Sequence, residues 1–264
     1  MTRVLITGCS TGIGRAAAVE LTKRGYEVIA TARRPETLDE LDVVDRLALD
    51  VTDDASVATA VEAAGEIDVL VNNAGIEVGG PIESVPLADV RDMFETNVFG
   101  LLRMIQAVAP GMRRRGRGTI VNISSVAGIV GAPLGGTYSA TKHAVEAISE
   151  ALHYELDHFG VRTIIIEPGV IETALQDNAR WLGVDEPPYD ELKSQWDAAR
   201  LTLAGGAPPG PELVAGIIAE ALEADPPVLR WTAGNDAAMV ASVRASSTDE
   251  EFEATMREAL SIDW

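Results

Sequence analysis

Apolar residues recur along this chain in two alternating patterns. Short runs such as Val4-Leu5-Ile6, Val28-Ile29-Ala30 and Leu47-Ala48-Leu49, with residues 67–71, 119–123 and 161–166, read as strands. Between them lie longer stretches of helical period: residues 13–24, a short charged piece from Pro35, 53–64 with Asp53 as candidate N-cap, 87–115 and 139–159. The runs are apolar on both alternating faces, as parallel strands covered by crossover helices are. The pattern predicts an α/β fold with a doubly wound parallel sheet of Rossmann type, spanning residues 1–264 as a single domain.

After Pro168-Gly169 the pattern loosens. Residues 174–210 carry Pro187-Pro188, Gly205-Gly206 and Pro208-Pro209, with Trp181, Leu182, Tyr189, Leu192 and Trp196 scattered among them. A helix over 212–223, a strand over 228–231 and a tail helix over 250–260 follow. Ligands of such a sheet sit beyond the strand C-termini, so the segment 174–210 is expected to form a lid over the site. Its aromatics have two readings: they line an apolar pocket, or they pack the segment onto the sheet. Val130, Pro133, Leu134 and Gly135 are the expected opposite wall.

Charge narrows the partners. Lys+Arg 21 against Asp+Glu 41 gives −20, which disfavours nucleic acid and anionic membranes. Arg113-Arg114-Arg115 and Arg117 fall where a helix should end, and there cations complement the macrodipole. One cysteine, Cys9, excludes an internal disulfide and a multi-cysteine zinc site. His143, His153 and His158 share one helix without an acid cluster, so no metal is expected. No run is apolar enough to span a bilayer and the start is unlike a signal peptide, so a cytoplasmic protein is the expectation.

Gly8-Cys9-Ser10-Thr11-Gly12-Ile13-Gly14 joins the first strand to the first helix. Glycines there permit a tight turn and let a pyrophosphate approach the helix amides, the arrangement of a dinucleotide site. Cys9 reads as small packing in that turn, without a redox role. An acid at the end of the second strand would bond a free ribose 2′-hydroxyl; this chain has Arg33 and Arg34 instead. That predicts NADP(H), with Arg33 as the main phosphate ligand; the alternative is two surface arginines opening a loop.

Tyr138 and Lys142 lie four apart at a helix start and share a face. An ammonium beside a phenol stabilises tyrosinate and suits acid–base work. The glycine turn, Asn72-Asn73-Ala74-Gly75, Asn97, Ser124-Ser125, Tyr138, Lys142 and Pro168-Gly169 occur in that order. Together they closely resemble the short-chain dehydrogenase/reductase family, over roughly residues 1–175. Leu229-Arg230-Trp231 and Gly234-Asn235-Asp236-Ala237 resemble, more loosely, the subgroup holding 17β-hydroxysteroid and retinol dehydrogenases.

The resemblance implies roles. Tyr138 is the acid/base, Lys142 its pKa partner and ribose ligand, Ser125 the bond to the substrate oxygen, and Asn97 the support of a water relay. Asp50 and Val51 meet adenine, and Asn73, with Ala74 and Gly75, passes the adenosine ribose. Pro168 and Gly169 border the cofactor, Val170 or Ile171 presents backbone to the carboxamide, and Thr173 reaches the pyrophosphate. Asn72 ties strands together, and Ser124 is strand-end structure. The implied function is NADP(H)-dependent interconversion of a ketone or aldehyde with an alcohol, on a bulky apolar, steroid- or retinoid-like substrate. Alternatives are an NAD-linked alcohol dehydrogenase of the same family and a non-catalytic NADP(H)-sensing regulator. The family also implies a homodimer or homotetramer through helices 87–115 and 139–159, where Ala140, Ala144, Ala147 and Ala151 form a small-residue face.

Overall fold

The computed structural model describes residues 1–173, 175, 179–185 and 187–264. Strands β1 (Arg3–Ile6), β2 (Glu27–Ala32), β3 (Asp45–Ala48) and β4 (Val69–Asn72) are joined in one sheet by β6 (Gly118–Ile123), β7 (Val161–Pro168) and β9 (Arg230–Ala233). Their order is β3-β2-β1-β4-β6-β7-β9, parallel throughout. A small second sheet pairs β5 (Val78–Gly79) with β8 (Arg180–Trp181).

Alternation along the strands builds two cores. Val4, Ile6, Val28, Ala30, Val69 and Val71 face helices α1 (Gly12–Lys23) and α7 (Glu212–Glu223). Leu5, Ile29, Leu70 and Ile120 face α2 (Asp54–Ala64), α4 (Gly100–Arg115) and α5 (Gly136–Asp157). The strand order reverses between β1 and β4, and there the chain ends of the two strands part to open a cleft. Asp53 caps α2 as expected, its Oδ1 accepting from the amides of Ala55 (2.7 Å) and Ser56 (3.0 Å).

Several expectations needed correction. The stretch 87–115 is not one helix: α3 (Leu87–Phe94) passes through a π turn, Glu95–Phe99, into α4. Helix α5 begins at Gly136 rather than 139, because the turn before it already runs in helical register. The last strand lies at Arg230–Ala233, two residues later than 228–231, paired with β7 through Ile165↔Arg230. Helices α6 (Asp190–Leu203) and α8 (Asn235–Ser246) stand where no element was expected, ahead of the tail helix α9 (Asp249–Leu260). Of the expected lid 174–210, residues 174, 176–178 and 186 lie outside the described residues.

The arginines closing α4 are held by neighbours: Arg115 and Arg117 pair with Glu66, and Arg113 lies over the Phe159 ring. On α5, Ala140, Ala147 and Ala151 are exposed with Tyr154, and Ala144 is half-buried.

Beneath the sheet end, Arg230 on β9 pairs with Glu146 and Glu150 of α5 and, at 3.1 Å, with the buried Glu167 of β7. Burial, then repulsion from Glu146, pushes Glu167 up to about 7, with Arg230 opposing. A carboxyl raised on folding contributes stability below its unfolded value and loses it as pH rises through the folded one. Stability should therefore fall between about pH 4.5 and 7. The loss should be about 2 kcal/mol after allowing for screening at half-exposed Arg230. Denaturant melts across that window should show the decline, and Glu167→Gln should flatten it. An equal slope in both proteins would discard the assignment.

Candidate active site

The floor of the cleft is backbone. Gly8 (φ 75°) and Gly12 (φ 57°) take left-handed conformations that side chains resist. A Cβ on Gly8 would lie 3.0 Å from Ala74 Cα, and one on Gly14 would lie 2.4 Å from Gly8 O and 2.5 Å from Asn73 Nδ2. Asn73 holds this close approach: its Nδ2 donates to Thr7 O (2.9 Å) and Gly8 O (3.1 Å). Thr7 Oγ1 in turn accepts from the amides of Asn73 and Ala74. Asn73 is thus a clamp on the turn as well as a wall of the cleft.

Gly8, Ser10, Thr11, Gly12 and Ile13 line the cleft with the N-terminus of α1, whereas Gly14 lies behind the turn. Thr11 precedes α1 without a side-chain cap, so the first-turn amides have no protein side chain over them. Ala74 and Gly75 continue the lining, as do Asp50 and Val51 at the end of β3. A hydrogen bond from the Thr52 amide holds the Asp50 carboxyl below its usual range. Arg33 is exposed, lines the cleft, and forms no ion pair among the described residues. Arg34 is exposed and does not line it. Cys9 is fully buried with Sγ against Ile6 O, and burial pushes its thiol up to about 12, so it packs as an inert neutral group.

Pro168, Gly169, Val170, Ile171 and Thr173 form the far side. The two candidates for a backbone contact there separate: the Val170 amide donates to Asp236 Oδ2 at 2.6 Å, while the Ile171 amide has no hydrogen bond among the described residues. Asp236 opens α8, and a Cβ on Gly169 would strike its carboxylate. Its contact with Gly169 and Val170 was not anticipated; an acid in the first turn of a helix opened by Gly234 was the available signal.

Cleft and substrate space form one cavity of about 1190 Å³, shared by Ser125, Tyr138 and Lys142. Ser125 Oγ accepts from the Ala127 amide (3.1 Å), donates to Pro168 O (3.4 Å) and lies beside the Tyr138 phenol. Lys142 is buried, with Nζ donating to Ile123 O at 2.9 Å and lying 5.7 Å from the Tyr138 ring centre. Burial pushes this ammonium down to about 8, with Glu77 and Glu146 pulling upward. Burial, then the charge of Glu77, hold the Tyr138 phenol well above its ordinary value, with Ser125 acting in the opposite direction.

Asn97 sits in the π turn, buried outside the cavity lining. Its Nδ2 donates to Ile76 O (2.9 Å) and Thr141 Oγ1 (3.1 Å), and its Oδ1 accepts from the Ile76 amide (2.8 Å). With both amide donors taken, its side chain fixes the segment after Gly75 to α5. Asn72 bonds Asn122, and Asn122 bonds Ser149, tying β4 and β6 to α5. Ser124 is buried at the end of β6.

The two readings of the lid aromatics divide by residue. Trp181, Leu192 and Trp196 line the cavity and also pack with Leu134 and Val184; Leu182 packs against Val78, Val85 and Met93. Val130, Pro133 and Gly135 line the opposite wall, but Leu134 turns into the lid's core instead. Phe252, Met256 and Leu260 of α9, with Ile262 and Trp264, complete the wall. That contribution, like the carboxyl of Glu77, was missed.

A model of the short chain dehydrogenase family matches residues 2–181. The chain belongs to the short-chain dehydrogenase/reductase family. This short-chain dehydrogenase is 42% identical to human retinol dehydrogenase 8 over 186 residues, 66% of this chain and 60% of that one. It is similar to a short-chain dehydrogenase from Streptomyces avermitilis (36% identity, TM-score 0.81), covering 98% of this chain and 97% of that one. It is also similar to a Burkholderia cenocepacia short-chain dehydrogenase in complex with NADP (26% identity, TM-score 0.79), covering 98% and 97%. The chain is an oxidoreductase of this family acting on a small molecule. A glycine-rich floor, a helix N-terminus without a side-chain cap and an arginine at the end of β2 without an ion pair among the described residues fit a nicotinamide dinucleotide. Among the described residues no helix is long and apolar enough to cross a membrane, and no cluster of three or more His, Cys, Asp or Glu could hold a metal.

Proposed function

We propose that this enzyme uses NADP(H) to interconvert a bulky, mostly apolar ketone or aldehyde with its alcohol. The convergence of Ser125, Tyr138 and Lys142 on one cavity, walled outside by Trp181, Trp196, Phe252 and Met256, carries this reading. Arg33 supports the 2′-phosphorylated cofactor, as does the NADP bound by the Burkholderia relative. The name of the human relative points to a retinoid-sized substrate.

The cofactor, when bound, supplies or accepts the hydride. The Ser125 and Tyr138 hydroxyls donate hydrogen bonds to the substrate carbonyl oxygen, which makes its carbon more electrophilic and stabilises the developing alkoxide. Tyr138 then gives its proton to that oxygen. Lys142, charged and held by Ile123 O, supports the transient tyrosinate until the phenol is reprotonated from solvent. Apolar walls exclude water from the reacting centre.

Oxidation of NADPH, followed by its absorbance, should be fast with steroid-like, retinoid-like and aryl ketones and slow with small polar ones. NADPH bound tightly but consumed with no member of such a panel would overturn the proposal.

A further inference from the structure

The cavity contains a charged group that the reaction above does not use. Glu77 lies between two pinned residues: Ile76, bonded both ways to Asn97, and Val78, whose amide donates to Met93 Sδ at 3.3 Å. The strand beginning at Val78 is paired with β8, so the position of Glu77 is fixed by its backbone on both sides. Glu77 lines the same cavity as Tyr138 and Lys142, and so does Arg200 from helix α6. Arg200 lies with Cζ 5.9 Å from the Trp181 ring centre. Neither Glu77 nor Arg200 makes a hydrogen bond or ion pair through its side chain among the described residues.

Burial pushes the Glu77 carboxyl above its usual range, with the charges of Arg200 and then Lys142 drawing it back. A carboxyl and a guanidinium without hydrogen-bond partners are costly to hold in an apolar-walled space. A guest that satisfies both offsets that cost. A carboxylate or phosphate is repelled by Glu77, and an ammonium by Arg200 and Lys142. A hydroxyl is neutral and both donates and accepts, so one group answers the two charges together. Glu77 and Arg200 line the same cavity as Ser125, Tyr138 and Lys142, so the recognised hydroxyl shares the space of the reacting carbonyl.

We infer that Glu77 and Arg200 select a hydroxy ketone: a substrate carrying a hydroxyl one or two carbons from the reacting carbonyl, with an apolar remainder. The hydroxyl donates to the Glu77 carboxylate and accepts from the Arg200 guanidinium, while the apolar body lies along Trp181, Trp196, Phe252 and Met256. This rests on the proposed carbonyl reduction and adds the substrate class.

The test uses two ketones of equal chain length, a 1-hydroxy-2-alkanone and the matching 2-alkanone. Each is titrated into the NADP+ complex, which cannot reduce it, by quenching of tryptophan fluorescence, and then assayed with NADPH for turnover. The wild-type protein should prefer the hydroxy ketone by roughly ten- to a hundredfold in both measurements. Glu77→Leu should bring the ratio near one, Arg200→Met should lower it, and Glu77→Gln, which keeps an acceptor, should retain part of it. Equal binding of the two ketones by the wild-type protein, or a ratio unmoved by Glu77→Leu and Arg200→Met, overturns the inference and leaves carbonyl reduction standing. Selective binding without hydride transfer supports the inference and counts against the proposed reduction.

Discussion

Replacing Tyr138 by phenylalanine should slow carbonyl reduction by about a thousandfold while NADPH binds as before. The ring stays in place, because its apolar part packs with Val78, Val85 and Met93. What is lost is the proton. Burial and Glu77 keep the phenol protonated, so the resting enzyme presents a donor rather than a base. Ser125 remains to bond the carbonyl oxygen but is a poor acid, and Lys142 is bound to Ile123 O. Single-turnover oxidation of bound NADPH gives the rate, and a fluorescence titration the affinity. Equal rates in the two proteins would remove Tyr138 from the chemistry.

Arg33→Asp should shift cofactor preference from NADPH toward NADH by about a hundredfold. A guanidinium–phosphate contact contributes roughly 1.5–3 kcal/mol. An introduced carboxylate repels the phosphate and offers the free 2′-hydroxyl an acceptor. Arg33 lines the cleft without an ion pair among the described residues, so its replacement breaks no salt bridge there. The measurement is the ratio of kcat/KM for the two cofactors with one substrate, and unchanged selectivity would dismiss the phosphate assignment. Arg34, outside the cleft, should shift that ratio far less.

The sheet was legible because buried parallel strands are apolar on both faces, as Val4-Leu5-Ile6 and residues 161–166 are. The glycine turn was legible from its place between strand and helix, and Ser125, Tyr138 and Lys142 through a motif order that resembles the family; the fold brings them to one cavity. Helix α8 escaped because only Asp236, Ala237 and Val240 are buried on it, too few to impose a period. The π turn escaped because residues 87–115 keep a helical pattern across it; a wider turn changes hydrogen bonding before it changes composition. The α9 wall could not be read, because nothing local in Phe252 or Met256 says which distant surface they meet. Glu77 left one faint mark, a lone acid between Ile76 and Val78 at a strand end.

The chain of hydrogen bonds from Asn72 through Asn122 to Ser149 has a bearing on catalysis although it touches no ligand. Oily contacts between a helix and a sheet tolerate sliding, since one methyl group replaces another at little cost. Directional amide bonds do not. They set how far α5 stands along its own axis relative to the ends of β4 and β6, and therefore where the phenol and ammonium it carries stop. Hydride transfer is sensitive to fractions of an ångström. On the proposed mechanism, that tolerance rests on a polar seam inside the hydrophobic interior, away from the cavity itself.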